Sequence, residues 1–83
     1  MNKVLVKICV PATGESYDMF VPVDVPIKDV SRVMASGVSE LTNGRYLSSG
    51  LEQICLREPT GIFNPSLTLM DYGVQNGMSL YLI

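Results

Sequence analysis

The sequence predicts an α+β domain in which a mixed sheet of roughly four to five strands packs, on one face only, against one α-helix. Three features support this fold class. Apolar and polar residues alternate near both ends of the chain, as they do in strands. Between those ends, one stretch repeats its apolar residues every three or four positions, as an amphipathic helix does. Glycine, proline and asparagine separate these stretches, and the 83 residues suffice for a single domain over 1–83.

The N-terminal stretch predicts a β-hairpin. The core-facing positions of its first strand are Val4, Val6, Ile8 and Val10. The other face of that strand carries Lys3, Leu5, Lys7 and Cys9. Residues 11–16 have turn chemistry. The second strand then places Tyr17, Met19 and Val21 on the core face and Asp18, Phe20 and Pro22 on the other.

A helix of about 14 residues is predicted after Pro26, because proline suits the first turn of a helix. Its apolar stripe consists of Ile27, Val30, Met34, Val38 and Leu41. Asn43-Gly44 ends the helix, since both residue types accept a left-handed backbone. Gly37 lies mid-helix, where we expect it to allow close packing against the sheet rather than to act as a hinge.

The next stretch predicts a third strand and a short fourth one. Residues 53–57 alternate, with Ile54 and Leu56 toward the core. Glu58-Pro59-Thr60-Gly61 forms a turn, and a short apolar strand follows at 62–63. An exposed edge at the second or the third strand could support pairing between subunits, so the oligomeric state stays open.

The last stretch predicts the closing strand of the sheet. Gly73 and Asn76-Gly77 accept left-handed turns, and the apolar residues 79–83 alternate as a strand. We expect this strand to lie parallel to the first one at the centre of the sheet, because the crossover between them contains the helix.

The composition excludes several functions. With a net charge of −2 and no basic cluster, the chain is not expected to bind nucleic acid. Histidine is absent and the two cysteines lack metal-ligand spacing, so we expect no enzyme activity and no catalytic, metal or cofactor site. No apolar run approaches the roughly 20 residues that span a bilayer, and the N-terminus lacks a cleavage site. We therefore expect a cytoplasmic protein without membrane insertion.

The order of the predicted elements resembles the β-grasp fold of ubiquitin. Residues 68–75, TLMDYGVQ, are similar to the turn before the last ubiquitin strand, and 79–83, SLYLI, are similar to that strand. The resemblance implies that the hydroxyl of Tyr72 is anchored to nearby backbone. We expect Asp71 to cap this turn rather than to act in acid–base chemistry.

A closer resemblance is to the small ubiquitin-like proteins of bacterial type VII (WXG100/ESX-type) secretion, the YukD/EsaB family. It rests on YDMFVP at 17–22 followed by VPIKDV at 25–30, on LMDY at 69–72, and on Asn76-Gly77 ahead of the last strand. It implies an adaptor or regulatory accessory protein whose partners are a secretion-system ATPase or membrane components. The same module also occurs as the cytoplasmic N-terminal domain of EccD-type membrane components, a second identity if the chain is a fragment.

The last residues of the sequence are relevant to whether the chain could be attached covalently to other proteins. Ubiquitin-like modifiers and sulfur carriers need a flexible Gly-Gly tail, whereas this chain ends at Ile83 inside the predicted strand. We therefore expect a non-conjugating protein that acts through non-covalent contacts. A truncated modifier or sulfur carrier is the alternative.

Alternation also places apolar residues on the face of the sheet that the helix leaves open. We predict a protein-binding patch formed by Leu5, Phe20, Cys55, Tyr81 and Ile83, with Cys9 on the same face. The alternative is a set of scattered surface residues, which are normal. Both cysteines are expected to face outward as free thiols, about 9–10 Å apart, which exceeds the roughly 7 Å between Cα atoms that a disulfide spans.

Overall fold

The computed structural model describes residues 2–57 and 60–83. Its elements are, in chain order, β1 (Lys3–Val10), β2 (Glu15–Pro22), α1 (Ile27–Leu41), β3 (Ile54–Arg57), β4 (Thr60–Ile62), a 3-10 helix (Met70–Tyr72) and β5 (Ser79–Leu82). The predicted order of hairpin, helix, strand, short strand and closing strand is confirmed. Of the predicted turn over 58–61, Glu58 and Pro59 lie outside the described residues. Thr60 and Gly61 belong to β4 instead, and β4 ends at Ile62, so the predicted strand at 62–63 begins and ends too late.

The five strands form one sheet in the order β2-β1-β5-β3-β4. β1 and β5 are parallel, and the other neighbouring pairs are antiparallel. The predicted parallel pairing of the first and last strands is confirmed, and α1 lies in the crossover between them. The prediction that the third strand could be an edge is wrong, because β4 folds back and pairs with it.

One face of the sheet and one face of α1 enclose the core. Alternate residues of β1 and β5, including Val6, Ile8, Leu80 and Leu82, are at most 1% exposed. The helix contributes Ile27, Val30, Met34, Ala35 and Val38. The predicted stripe extended one turn too far, since Leu41 is 59% exposed. Thr42 takes the buried position instead, where its hydroxyl donates to the Val38 carbonyl at 2.9 Å and accepts the Tyr46 N–H at 3.0 Å.

Gly37 is a close packing point, as predicted. A Cβ atom at this position would lie 2.6 Å from Cε of Met19. Met19 belongs to β2 and packs against the core from the edge of the sheet. The missing side chain therefore lets the helix approach the edge strand.

The closing stretch folds as predicted. Gly73 and Gly77 have φ angles of +69° and +87°. The backbone N–H of Asn64 donates to the hydroxyl of Tyr72 at 2.8 Å, which confirms the anchoring implied by the resemblance. Asp71 caps its turn, because its carboxylate accepts the Thr68 N–H at 2.9 Å.

β3 departs from the predicted alternation in one respect. Ile54 is buried, but Leu56 is 47% exposed, so its assignment to the core is wrong. The ladder between β3 and β5 comprises the pairs Ile54–Leu82 and Cys55–Tyr81, and Leu56 lies past its end. Alternation alone does not reveal where the neighbouring strand stops.

Candidate protein-binding surface

The face of the sheet opposite α1, here called the open face, holds the predicted patch residues in two separate rows. In the first row Leu5 of β1 is directly opposite Phe20 of β2. The second row crosses four strands and consists of Cys9, Tyr81, Cys55 and Ile62. Cross-strand partners project from the same side of a sheet, so each row is a line of neighbouring side chains.

A polar row separates these two apolar rows. Lys7 is opposite Asp18 on one side and Ser79 on the other. Leu5 and Cys9 are four positions apart along β1, which corresponds to about 13 Å. The predicted residues therefore form two apolar groups on either side of a charged strip rather than one continuous patch.

The exposed fractions of the predicted residues differ widely. Phe20 is 64% exposed, Leu5 and Ile83 are each 38% exposed, and Tyr81 is partly buried. Ile83 extends the second group, because its backbone N–H and carbonyl both bond to Gln53 at 2.9 Å, next to the row.

The prediction that Cys55 is an exposed member of the patch is wrong. Cys55 shares the face of Tyr81 but is completely buried and lies outside the core cluster. It pairs with Tyr81 on one side and with Ile62 on the other. Because none of its surface is exposed, the thiol is not available to a partner. Neither cysteine is in a disulfide, and β5 separates their strands, as expected.

Ile62 is a member of the second row that sequence analysis missed. Its side chain is 49% exposed, whereas Phe63 is buried in the core. The sequence contained a signal for this assignment, because hairpin pairing of the short apolar strand with β3 places Ile62 beside Cys55. A shallow pocket continues the row beyond β1, where Cys9, Pro11, Ser16 and Tyr81 are among its lining residues.

The open face suits recognition of a protein surface. Exposed apolar side chains on both sides of a charged strip can bury apolar area while the strip sets the orientation of the partner. Across 2–57 and 60–83, no three acidic, cysteine or histidine side chains come together in a group that could hold a metal ion. In the same part of the chain, no helix is both long and apolar enough to cross a bilayer.

Comparison with known proteins identifies the fold. No protein-family model matches the chain, and no curated protein sequence matches it significantly. Among solved structures, the ubiquitin-like domain of the Mycobacterium tuberculosis type VII secretion protein EccD1 is similar, with a TM-score of 0.78 and 20% identity over 100% of this chain and 99% of that one. The ubiquitin-like domain of EccD5 from Mycobacterium xenopi has a TM-score of 0.72 and 20% identity over 100% and 94% of the two chains.

A chain of an ESX-5 inner membrane complex is also similar, with a TM-score of 0.71 and 17% identity over 100% of this chain and 21% of that chain. So is a chain of a toluene 4-monooxygenase complex, at 12% identity and a TM-score of 0.75 over 98% and 96% of the chains. Likeness at these identities reports architecture and does not by itself assign a function. The chain has the ubiquitin-like β-grasp fold, with one helix packed on a mixed five-stranded sheet.

Proposed function

We propose that the chain is a ubiquitin-like adaptor or regulatory protein of a bacterial type VII secretion system, of the YukD/EsaB kind. It acts on the cytoplasmic side through non-covalent contacts with other proteins. The observation that supports the binding role is the set of exposed apolar side chains on the open face. The main one is Phe20, which is 64% exposed and lies opposite Leu5. The full-length likeness to the EccD1 domain supports the link to secretion.

The proposed partners are a membrane component or the ATPase of the secretion system. One similar chain belongs to an ESX-5 inner membrane complex, which supports a membrane component as the partner. The open face offers such a partner the Leu5–Phe20 group on one side of the charged strip and Tyr81, Ile62 and Ile83 on the other. The proposed role includes no catalytic step.

A second candidate is that these residues form the cytoplasmic domain of an EccD-type membrane component. The likeness to the isolated EccD1 domain, at a TM-score of 0.78, favours it. An immunoblot of membrane and supernatant fractions from the host distinguishes the two candidates. An adaptor gives a small band, and a domain of a membrane component gives a much larger band in the membrane fraction. A covalent modifier would instead give several larger bands that persist under denaturing conditions.

The binding role is tested with Phe20→Asp and Tyr81→Ala in a tagged chain expressed in its host. We expect each substitution to abolish co-purification of the secretion ATPase and membrane components. Because Phe20 is largely exposed, the midpoint of urea unfolding should change little for Phe20→Asp.

Val33→Asp is the matched control, since Val33 is 47% exposed on α1, in the other layer of the fold. It should leave co-purification intact. Partner capture that survives both open-face substitutions would contradict the proposed role. Unfolding caused by the substitutions would show that these residues belong to the core.

A further inference from the structure

The connection between α1 and β3 is folded around one carboxylate. Oε2 of Glu52 accepts the hydroxyl of Tyr46 at 2.9 Å and the backbone N–H of Ser49 at 2.8 Å. Its Oε1 accepts the hydroxyl of Ser48 and the backbone N–H of Gly50, both at 3.1 Å. Both carboxylate oxygens are therefore occupied, and residues 46–52, here called the Glu52 loop, have a defined conformation.

The ionised form of Glu52 is favoured by these contacts. Burial by itself would raise the pKa of Glu52, but the hydrogen bonds from Ser49, Tyr46 and Ser48 outweigh it and lower the pKa below its usual value. Burial, together with the hydrogen bond to Glu52 and its negative charge, raises the pKa of Tyr46 to about 12. At neutral pH the loop thus contains a charged acceptor and a neutral donor.

The Glu52 loop directs two leucines into solvent. Leu47 is 82% exposed and Leu51 is 83% exposed, the highest values for large apolar side chains in the described part of the chain. Burial of such side chains would stabilise the fold, but this loop leaves both of them exposed. Single exposed leucines are ordinary, but here one hydrogen-bonded loop holds two of them, and one of the two, Leu51, lines a groove.

The groove lies between the Glu52 loop and the N-terminal half of α1. Its apolar lining comes from Ile27, Leu51, Ile54, Phe63 and Pro65. Lys28 and Arg32 contribute its charged rim on the helix side. They are one helical turn apart and project together. The pair of Arg32 with Asp29 is exposed and 4.0 Å long, so it binds Arg32 only weakly.

We propose that this groove binds a short segment of another protein in which a large apolar side chain is flanked by carboxylates. The apolar side chain enters between Leu51 and Phe63, and the carboxylates face Lys28 and Arg32. Glu52 also lines the groove and keeps its negative charge, but its oxygens accept hydrogen bonds from the loop, and Lys28 and Arg32 leave the three charged lining residues with a net positive charge. Charge complementarity therefore selects an acidic segment. The groove is on the helix side of the sheet, so this site is independent of the open face and leaves that face free for a second partner.

The test uses the ¹⁵N-labelled 83-residue chain and two short synthetic peptides. Both peptides have leucine and phenylalanine at the same positions, with glutamate at all others in one and lysine in the other. The glutamate peptide should shift the amide signals of Lys28, Arg32, residues 50–54 and Phe63. We expect it to bind about tenfold more tightly than the lysine peptide, because two charge pairs form at the rim.

Lys28→Glu/Arg32→Glu should reverse this preference, and Leu51→Ser should weaken binding of both peptides. The matched control is Lys3→Glu/Lys7→Glu, which changes the net charge equally but on the open face. It should leave the preference unchanged, and heteronuclear spectra report whether each variant is folded. The proposal would be overturned if the two peptides bound with equal affinity or did not bind at all. It would also be overturned if Lys28→Glu/Arg32→Glu kept the preference for the glutamate peptide, or if the amide signals shifted only on the open face. Such a failure would not affect the co-purification test of Phe20 and Tyr81.

Discussion

The hydroxyl of Tyr72 shows that the resemblance to ubiquitin can assign the role of a single residue. Its position in the LMDY segment implied an anchor to nearby backbone, and it accepts the N–H of Asn64 at 2.8 Å. The ring also stacks on Phe63, with centroids 4.0 Å apart and planes inclined by 7°. One side chain thus ties the 3-10 helix to the segment that follows β4.

The carboxylate of Glu52 allows a prediction of how the stability of the fold depends on pH. Its pKa is lowered in the folded chain, so its contribution to stability is present above the unfolded-state pKa of about 4.3 and is lost as pH falls through the folded-state pKa. We expect Glu52→Gln to be less stable than the parent near neutral pH, because an amide group cannot accept all four hydrogen bonds.

On acidification the difference in unfolding free energy between parent and Glu52→Gln should shrink. Urea unfolding near neutral pH and at about pH 3 measures it, and comparison with the variant removes the effect of the other carboxyl groups. A difference that does not vary with pH would contradict the assigned role of the carboxylate.

At the scale of elements, the contact between α1 and β2 depends on Gly37 and Met19. Replacing glycine by alanine inside a helix typically stabilises it by about 0.8–1 kcal/mol. The new Cβ would lie 2.6 Å from the end of the Met19 side chain, which must move and lose packing. We therefore expect Gly37→Ala to be roughly neutral in the parent chain.

In a Met19→Ala background the same substitution should stabilise the fold by about 0.5–1 kcal/mol, because nothing then opposes the alanine. A double-mutant cycle from urea unfolding measures this coupling. An equal gain in both backgrounds would mean that Met19 does not limit the approach of the helix to the sheet.

At the scale of the whole molecule, the strand positions on the core face that become buried are those that have neighbouring strands beside them. Leu80 is 0% exposed between β1 and β3, whereas Leu56, past the end of the β3–β5 ladder, is 47% exposed. Leu80→Ala should lower the unfolding free energy by about 2–5 kcal/mol, and Leu56→Ala by less than about 1 kcal/mol. Urea unfolding of both variants gives the comparison, and similar losses would show that Leu56 is part of the core in solution.

The sequence by itself determined the order of elements, the buried face of β1 and α1, the left-handed turns at Gly73 and Gly77, and the parallel pairing of the chain ends. These features follow from local periodicity, from residues that tolerate particular backbone angles, and from the length of one crossover. They require no knowledge of distant neighbours.

Only the tertiary structure decided which of the predicted surface residues a partner can reach. Cys55 pairs with Tyr81 and Ile62 in the register of the sheet and is completely buried. The pairing of Lys7 with Asp18 and Ser79 forms the polar row that divides the open face. The Glu52 loop and its exposed leucines depend on hydrogen bonds between residues that show no periodic pattern. The exposure of a side chain depends on the residues that the strand register places next to it. That register depends on pairing between strands and cannot be read from one strand alone.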